Sequence, residues 1–230
     1  MEERELVGRI RAALEHDRAI NVHAYPIDIR AGESITLAGT VADIVAKRRA
    51  AQIARQVASS IRIRDELRID VARHRPDTEL ADAVIRRLHG ELAFLEIPVG
   101  GAPPANGPAI AVTAGDDVAT LAGTVPSIAH RRLAEVLAWW TPGVGDVDNR
   151  LHVYPPEEDS DEELTDVLRQ VMEMDPSIDA ARIGITVRDR GVTLTGVVHD
   201  DVHRRIAVRN CWYVPGVHGV GNRLSVVAGS

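Results

Sequence analysis

Thr120-Leu121-Ala122-Gly123-Thr124 recurs in this chain as Thr36-Leu37-Ala38-Gly39-Thr40 and as Thr193-Leu194-Thr195-Gly196-Val197. Four residues after each glycine stands a helix N-cap type: Asp43, Ser127 and Asp200. Eight and nine after it come basic pairs, Lys47-Arg48, Arg131-Arg132 and Arg204-Arg205. Twenty after it come Ser59, Gly143 and Gly216, the last two inside Pro142-Gly143-Val144 and Pro215-Gly216-Val217. Twenty-eight after it come Leu67, Leu151 and Leu224, with Asn149-Arg150-Leu151 and Asn222-Arg223-Leu224 matching outright. Chance does not hold one register three times, so the chain is read as an internal repeat.

Each repeat spells the same elements. Leu6, Ile10 and Leu14, then Leu80, Val84 and Leu88, then Leu164, Leu168 and Val171 are apolar stripes at helical spacing. Two alternating strands follow, joined at Ala31-Gly32-Glu33, Gly115-Asp116-Asp117 and Asp189-Arg190-Gly191, which predicts hairpins. The anchor glycine is expected to end the second strand. The N-cap then opens a second helix, and a third strand closes the unit parallel to the second through a crossover. The predicted fold class is α+β: three tandem αββαβ units, each a small three-stranded mixed sheet packed with two helices. The expected boundaries are 1–73, 77–155 and 158–230, cut at Arg73-His74-Arg75-Pro76 and Pro155-Pro156-Glu157-Glu158-Asp159. A Gly/Pro-rich insertion over about 100–108 reads as a surface loop of the second unit.

Charge and composition remove several function classes. The 230 residues carry 34 acidic against 27 Lys plus Arg, a net charge of −7, which disfavours binding nucleic acid or anionic lipid through overall charge. Cys211 stands alone, excluding an internal disulfide and a cysteine zinc cluster. The start is charged, without an apolar leader, and no run of about 20 apolar residues spans a bilayer. The expectation is a cytoplasmic protein that is not transmembrane.

The second helices carry the candidate site. At about 100° per residue, Ala50, Ile53, Ala54 and Val57 share one face, as do Ala134, Leu137, Ala138 and Thr141, and Ala207, Asn210, Cys211 and Val214. Trp139 and Trp212 point to the opposite side, Trp140 and Tyr213 lie on a flank, and Arg132, Arg205 and Arg209 accompany them. Repeat one has Arg55 and Gln56 where the others have aromatics. This aromatic-basic face admits two readings. In one it is an interface, between units or with a protein partner. In the other the rings enter a lipid headgroup layer while the arginines meet phosphates, with ring-on-guanidinium contacts available in either case.

The Leu-x-Gly-Thr/Val pattern, the alanine-bearing helix and Pro-Gly-Val-x-x-Val-x-Asn-Arg-Leu resemble the BON domain, named for bacterial osmotically induced and nodulation proteins. The resemblance spans nearly the whole chain and is weaker in repeat one, where Ser59-Ser60-Ile61 and Asp65-Glu66-Leu67 replace the motifs. It implies an αββαβ fold and a non-enzymatic role, with phospholipid or envelope surfaces, osmotic stress, secretion and transport as associations. Some relatives bind small ligands or ions instead.

The remaining candidates read as structural. His199 and His203 flank an N-cap, His130 shares the offset of His203, and Cys211 sits on the small-residue stripe. The Arg-rich run from Lys47 to Arg75 and the acidic run from Glu157 to Asp166 read as solvated faces, or as partners if repeat one docks on repeat three. No aromatics interleave the arginines as single-stranded nucleic-acid binding requires. The expectation is a binding or adaptor protein with no catalytic residue, cofactor or metal. A protein partner or self-association is favoured, with phospholipid and then a small ligand or ion as alternatives.

Overall fold

The computed structural model describes residues 3–102 and 107–227. The chain divides into two compact units, Met1–Ala72 and Arg73–Ser230. The first holds repeat one: α1 (Glu3–Glu15), β1 (Ile27–Arg30), β2 (Ile35–Val41), α2 (Ile44–Ala58) and β3 (Ile63–Ile69). The second holds repeats two and three. Repeat two is α3 (Asp77–His89), β4 (Val99–Gly100), β5 (Ala109–Gly115), β6 (Val118–Val125), α4 (Ile128–Trp139) and β7 (Asp146–Val153). Repeat three is α5 (Asp161–Met174), β8 (Ile183–Arg188), β9 (Gly191–Val198), α6 (Asp201–Tyr213) and β10 (Gly219–Val226). The fold is α+β, with three copies of the αββαβ unit.

Every sheet has the same plan. The middle strand pairs antiparallel with its predecessor and parallel with its successor: β1-β2-β3, β5-β6-β7 and β8-β9-β10. The hairpin turns of repeats two and three place Asp116 (φ 51°) and Asp117 (φ 62°), and Asp189 (φ 49°) and Arg190 (φ 64°), in the left-handed region. Two consecutive positive φ values match the twist of the flanking strands, and aspartate tolerates them better than most side chains. Asp43 accepts from the Ala46 amide, Ser127 from His130, and Asp200 from Val202 and His203, so the three N-caps act as such.

Two features depart from the sequence expectation. Repeat two has a fourth strand, since β4 pairs parallel with β5 ahead of the insertion. Part of the expected Gly/Pro loop over about 100–108, residues 103–106, lies outside the described residues. The anchor glycines, in turn, stand two residues inside their strands rather than at the ends. Their φ values are +123°, +128° and +109°, and a Cβ would lie 2.7 Å from Pro26 O at Gly39, 2.2 Å from Ala109 O at Gly123 and 2.1 Å from Arg182 O at Gly196. A neighbouring carbonyl thus fills the space of a side chain, which explains why glycine recurs at this position.

The helical stripes pack as read: Leu6, Ile10 and Leu14, Leu80, Val84 and Leu88, and Leu164, Leu168 and Val171 are all buried. Each such side chain contributes about 1.5–3 kcal/mol. The second helices bury Ala50, Ile53 and Ala54, Ala134, Leu137 and Ala138, and Ala207, Asn210 and Cys211.

The third strands share a device that unites all three repeats. Asn149 Oδ1 accepts from the Leu151 amide at 3.1 Å, Asn222 Oδ1 from Leu224 at 3.0 Å, and Asp65 Oδ1 from Leu67 at 3.1 Å. The asparagine of the motif therefore occupies an outward-facing backbone donor of an edge strand. In repeat two its amide group also donates to Arg131 O at 3.0 Å and Glu135 Oε2 at 3.1 Å, tying strand to helix. In repeat one the carboxylate of Asp65 does the tying, through buried Lys47 at 3.3 Å, and Lys47 also donates to Leu67 O. Repeat one has exchanged residue types while keeping the link.

Candidate functional site

Within the second unit, α4 is buried on every side. All residues from Arg132 to Trp139 are inside, because α4 lies on β6 and β7 and packs against α3, α5 and α6. A helix covered all round belongs to an interior. Trp139 is 6% exposed and Trp212 4%, so both rings lie inside the unit. A lipid-inserting face needs its aromatics together at the surface, and two of the four are inside the unit.

Arg132 is part of the joint between repeats two and three. Its side chain is buried, Nε donates to Pro215 O at 3.0 Å, and Nη2 donates to both Asp159 oxygens at 2.8 Å. A Cβ at Gly216 would approach Nη2 to 2.9 Å, and the φ of +97° there is one only glycine adopts with ease. Asp159 also accepts from Arg190 Nη1 at 2.8 Å. Burial pushes Asp159 up, but the hydrogen bonds from Arg190 and Arg132 outweigh it and hold the carboxyl below its ordinary value. The acidic entry to repeat three is thus an internal clamp at Asp159. Arg132 is a joining residue and not part of an exposed binding face.

Four residues of the predicted face rim a cleft of about 370 Å³ between repeats two and three. Trp139, Trp140, Arg209 and Tyr213 line it together with Asp175 and Arg87. Trp140 and Tyr213 meet edge to face with centroids 6.5 Å apart, and the Arg87 guanidinium lies 5.6 Å from the Trp140 ring centre. The ring-on-guanidinium contact is therefore made by Arg87 of α3, not by Arg132 or Arg205. Arg87 carries no repeat signature, and its one sequence signal is its place in the last turn of α3, where a cation suits the helix dipole. Arg205 is exposed and outside the cleft lining. Trp212 is buried and also outside it.

Asp175, the C-cap of α5, closes the cleft wall, and buried Asn210 donates to its Oδ2 at 2.7 Å. Burial raises Asp175, yet the bonds from Ser177 and Asn210 and the charge of Arg209 hold it below the usual carboxylate range. Asn210 occupies a small-residue core position, so its polar character is explained by this one acceptor. The Trp139 Nε1 is buried without an acceptor among the described residues.

The other singled-out groups have local partners. His203 Nδ1 sits 2.7 Å from Asp200 Oδ1, and His130 Nδ1 2.6 Å from Ser127 Oγ, so both rings engage their own N-caps. Among the described residues no group of three or more His, Cys, Asp or Glu is placed to hold a metal ion. Burial pushes the Cys211 thiol far up, which suits an inert packing residue. No helix of the described residues is long and apolar enough to cross a membrane.

Among curated proteins no sequence matches the chain. Two solved structures align along it at 12% identity and a TM-score of 0.27. Both are of CdsD, a structural protein of the type III secretion system of Chlamydia trachomatis. One, of its C-terminal domain, covers 99% of this chain and 100% of that one; the other covers 98% and 94%. The model of the BON domain matches residues 3–70, 99–155 and 160–228. With the repeated αββαβ fold and most of its length matched by three successive copies of that model, the chain belongs to the BON domain family, whose domain is of the binding, non-catalytic type.

Proposed function

We propose that this protein is a non-enzymatic adaptor whose second unit associates with a protein partner, and that units 1–73, 77–155 and 158–230 divide the work. One observation carries the reading: α4 of repeat two is buried from Arg132 to Trp139 with α5 and α6 of repeat three packed against it, which turns two small domains into one platform. Arg132, through Pro215 and Asp159, and Trp139, on the wall of the cleft between the repeats, hold that platform together. Trp140, Tyr213 and Arg209, with Arg87, remain at the mouth of the junction cleft as the partner-facing set. Aromatic and arginine side chains beside a cleft are the types that dominate binding energy at protein interfaces.

The test uses the full chain carrying Arg87→Ala, Arg209→Ala and Tyr213→Ala together. Self-association is read by light scattering up to about 100 μM, a concentration at which weak complexes of about −6 kcal/mol populate. Partner capture is read by cross-linking and mass spectrometry. A complex formed by the wild-type chain and lost in the triple variant supports the reading. A chain that stays monomeric and whose cross-linked partners are all kept by the variant refutes it.

A further inference from the structure

We infer that the junction cleft recognises clustered carboxylates, so that the segment a protein partner presents there is acidic. The inference rests on the adaptor reading and names the chemistry that its partner-facing set would take. Arginines reach the cleft from three separate segments. Arg87 comes from the last turn of α3 and Arg209 from α6, and both line the wall. Arg75, from the segment that leads into α3, packs its stem against Gly143 of the same wall, where a Cβ would stand 3.1 Å from Arg75 Cδ and 3.2 Å from its Cγ. Glycine at 143 thus leaves the room that the Arg75 stem occupies.

The two lining arginines are not neutralised within their own helices. Ala83 and Val84 stand four and three residues before Arg87, and Arg205, Ile206, Trp212 and Tyr213 fill the same offsets on either side of Arg209, so no carboxylate of α3 or α6 is spaced to pair with them. Among the described residues neither guanidinium makes a hydrogen bond or an ion pair. Arg87 is held over the Trp140 ring instead, 5.6 Å from its centre. A cation–π contact uses the positive charge and leaves the N–H donors open to an acceptor. Asp175 is the one carboxylate among the described lining residues, and it is already engaged. Its Oδ1 accepts from the Ser177 amide at 3.0 Å and hydroxyl at 2.6 Å, and its Oδ2 from Asn210 at 2.7 Å. Arg209 acts on Asp175 through its charge without forming an ion pair. The cleft thus keeps a surplus of guanidinium donors in a chain whose net charge is −7. Planar carboxylates satisfy such donors in pairs, and an acidic side chain is the form in which a protein partner carries them.

The probe is the peptide acetyl-Gly-Glu-Glu-Glu-Gly-amide, titrated into the full chain at about 0.15 M salt, where exposed charges more than about 8 Å apart are largely screened. Binding is read by NMR on the indole N–H signal of Trp140, assigned by its loss in Trp140→Phe. A saturable shift is expected, with an affinity at least tenfold above that of the matching peptide with Gln in place of Glu. Arg87→Gln together with Arg209→Gln should weaken binding by at least tenfold. Arg205→Gln together with Arg223→Gln removes the same charge at exposed positions outside the cleft lining and should leave binding unchanged. Substitution of exposed arginines costs little stability, and the comparison of the two peptides on the wild-type chain makes the test even where a variant unfolds. Equal affinity for the Glu and Gln peptides, an equal loss in the two double variants, or no saturable shift overturns the inference. Inorganic phosphate that shifts the same signal at a tenfold lower concentration than the peptide overturns it too, because the cleft then takes phosphate in preference to carboxylates. The adaptor reading is judged separately: a wild-type complex that the triple variant loses leaves it standing even where the peptide fails to bind.

Discussion

Replacing Gly123 by alanine tests the physical account of the repeat most directly. The residue sits inside β6 opposite Ile110, with φ +128°, and the added Cβ meets Ala109 O at 2.2 Å. A backbone held in that region costs a non-glycine residue about 1–3 kcal/mol. The overlap is with main chain rather than with the end of a flexible side chain, so β5 has to move, and the ladder that holds β5 to β6 loosens. Together the two effects amount to about 3–4 kcal/mol, a large share of the roughly 5–15 kcal/mol that stabilises a domain. All three tryptophans, Trp139, Trp140 and Trp212, lie in the second unit, so tryptophan fluorescence during urea unfolding follows that unit. With a slope of about 1–3 kcal/mol per molar urea, the midpoint should fall by at least about 1 M. Two comparison variants separate the causes. Gly107→Ala has φ +86° with nothing within 4 Å and should show torsional strain alone, while Gly219→Ala has neither feature and should unfold like the wild type. A Gly123→Ala midpoint within about 0.3 M of the wild type would mean the carbonyl approach does not explain the recurring glycine.

Three further outcomes follow from the packing of the second unit. Asn210→Ala leaves the Asp175 carboxylate without its buried donor and should cost about 1–3 kcal/mol in the same urea assay, with Asn210→Asp worse because it sets two carboxylates together. His130 is held below its ordinary value of 6.5 chiefly by burial, against the Ala93 backbone bond and the charges of Glu157 and Glu163. Below pH 6.5 the unfolded chain therefore binds more protons, so the second unit should lose stability as pH falls from 6.5 through the folded value, and His130→Gln should flatten that slope. Cys211 is buried with a raised pKa, so a disulfide reagent at pH 8 should leave it unmodified in the native chain and label it fully in denaturant; rapid native labelling would contradict the packing described.

Much of the fold was legible because it rests on short-range rules stated three times. Periodicity located α1 to α6, the Asp and Ser caps marked the second helices, and the Asp-Asp and Asp-Arg turns announced the hairpins of repeats two and three. The strand β4 was not legible, since a two-residue strand has no period to read. The in-strand position of the anchor glycines was also hidden, because the carbonyls that demand glycine come from the start of the neighbouring strand or the residue before it. The site was legible as a set of residues and not as an arrangement. Trp140, Tyr213 and Arg209 do meet, but the guanidinium over Trp140 is Arg87, and Arg132 faces Asp159 and Pro215 instead of a ring.

The repeat anchored on Thr-Leu-Ala-Gly-Thr and its counterparts determined, by itself, how many units there are and what each looks like inside. Those properties depend on neighbours a few residues apart and on a stripe that must face its own sheet. Which repeats join, and through which residues, was decided only by tertiary structure. The outward face of a helix carries the same Trp and Arg whether it meets water, lipid or another helix, and its environment is set by elements remote in the chain. Here α5 and α6 of repeat three pack on α4, so Arg132 and Trp139 lie at the joint of repeats two and three while Arg205, at the offset of Arg132, stays in solvent.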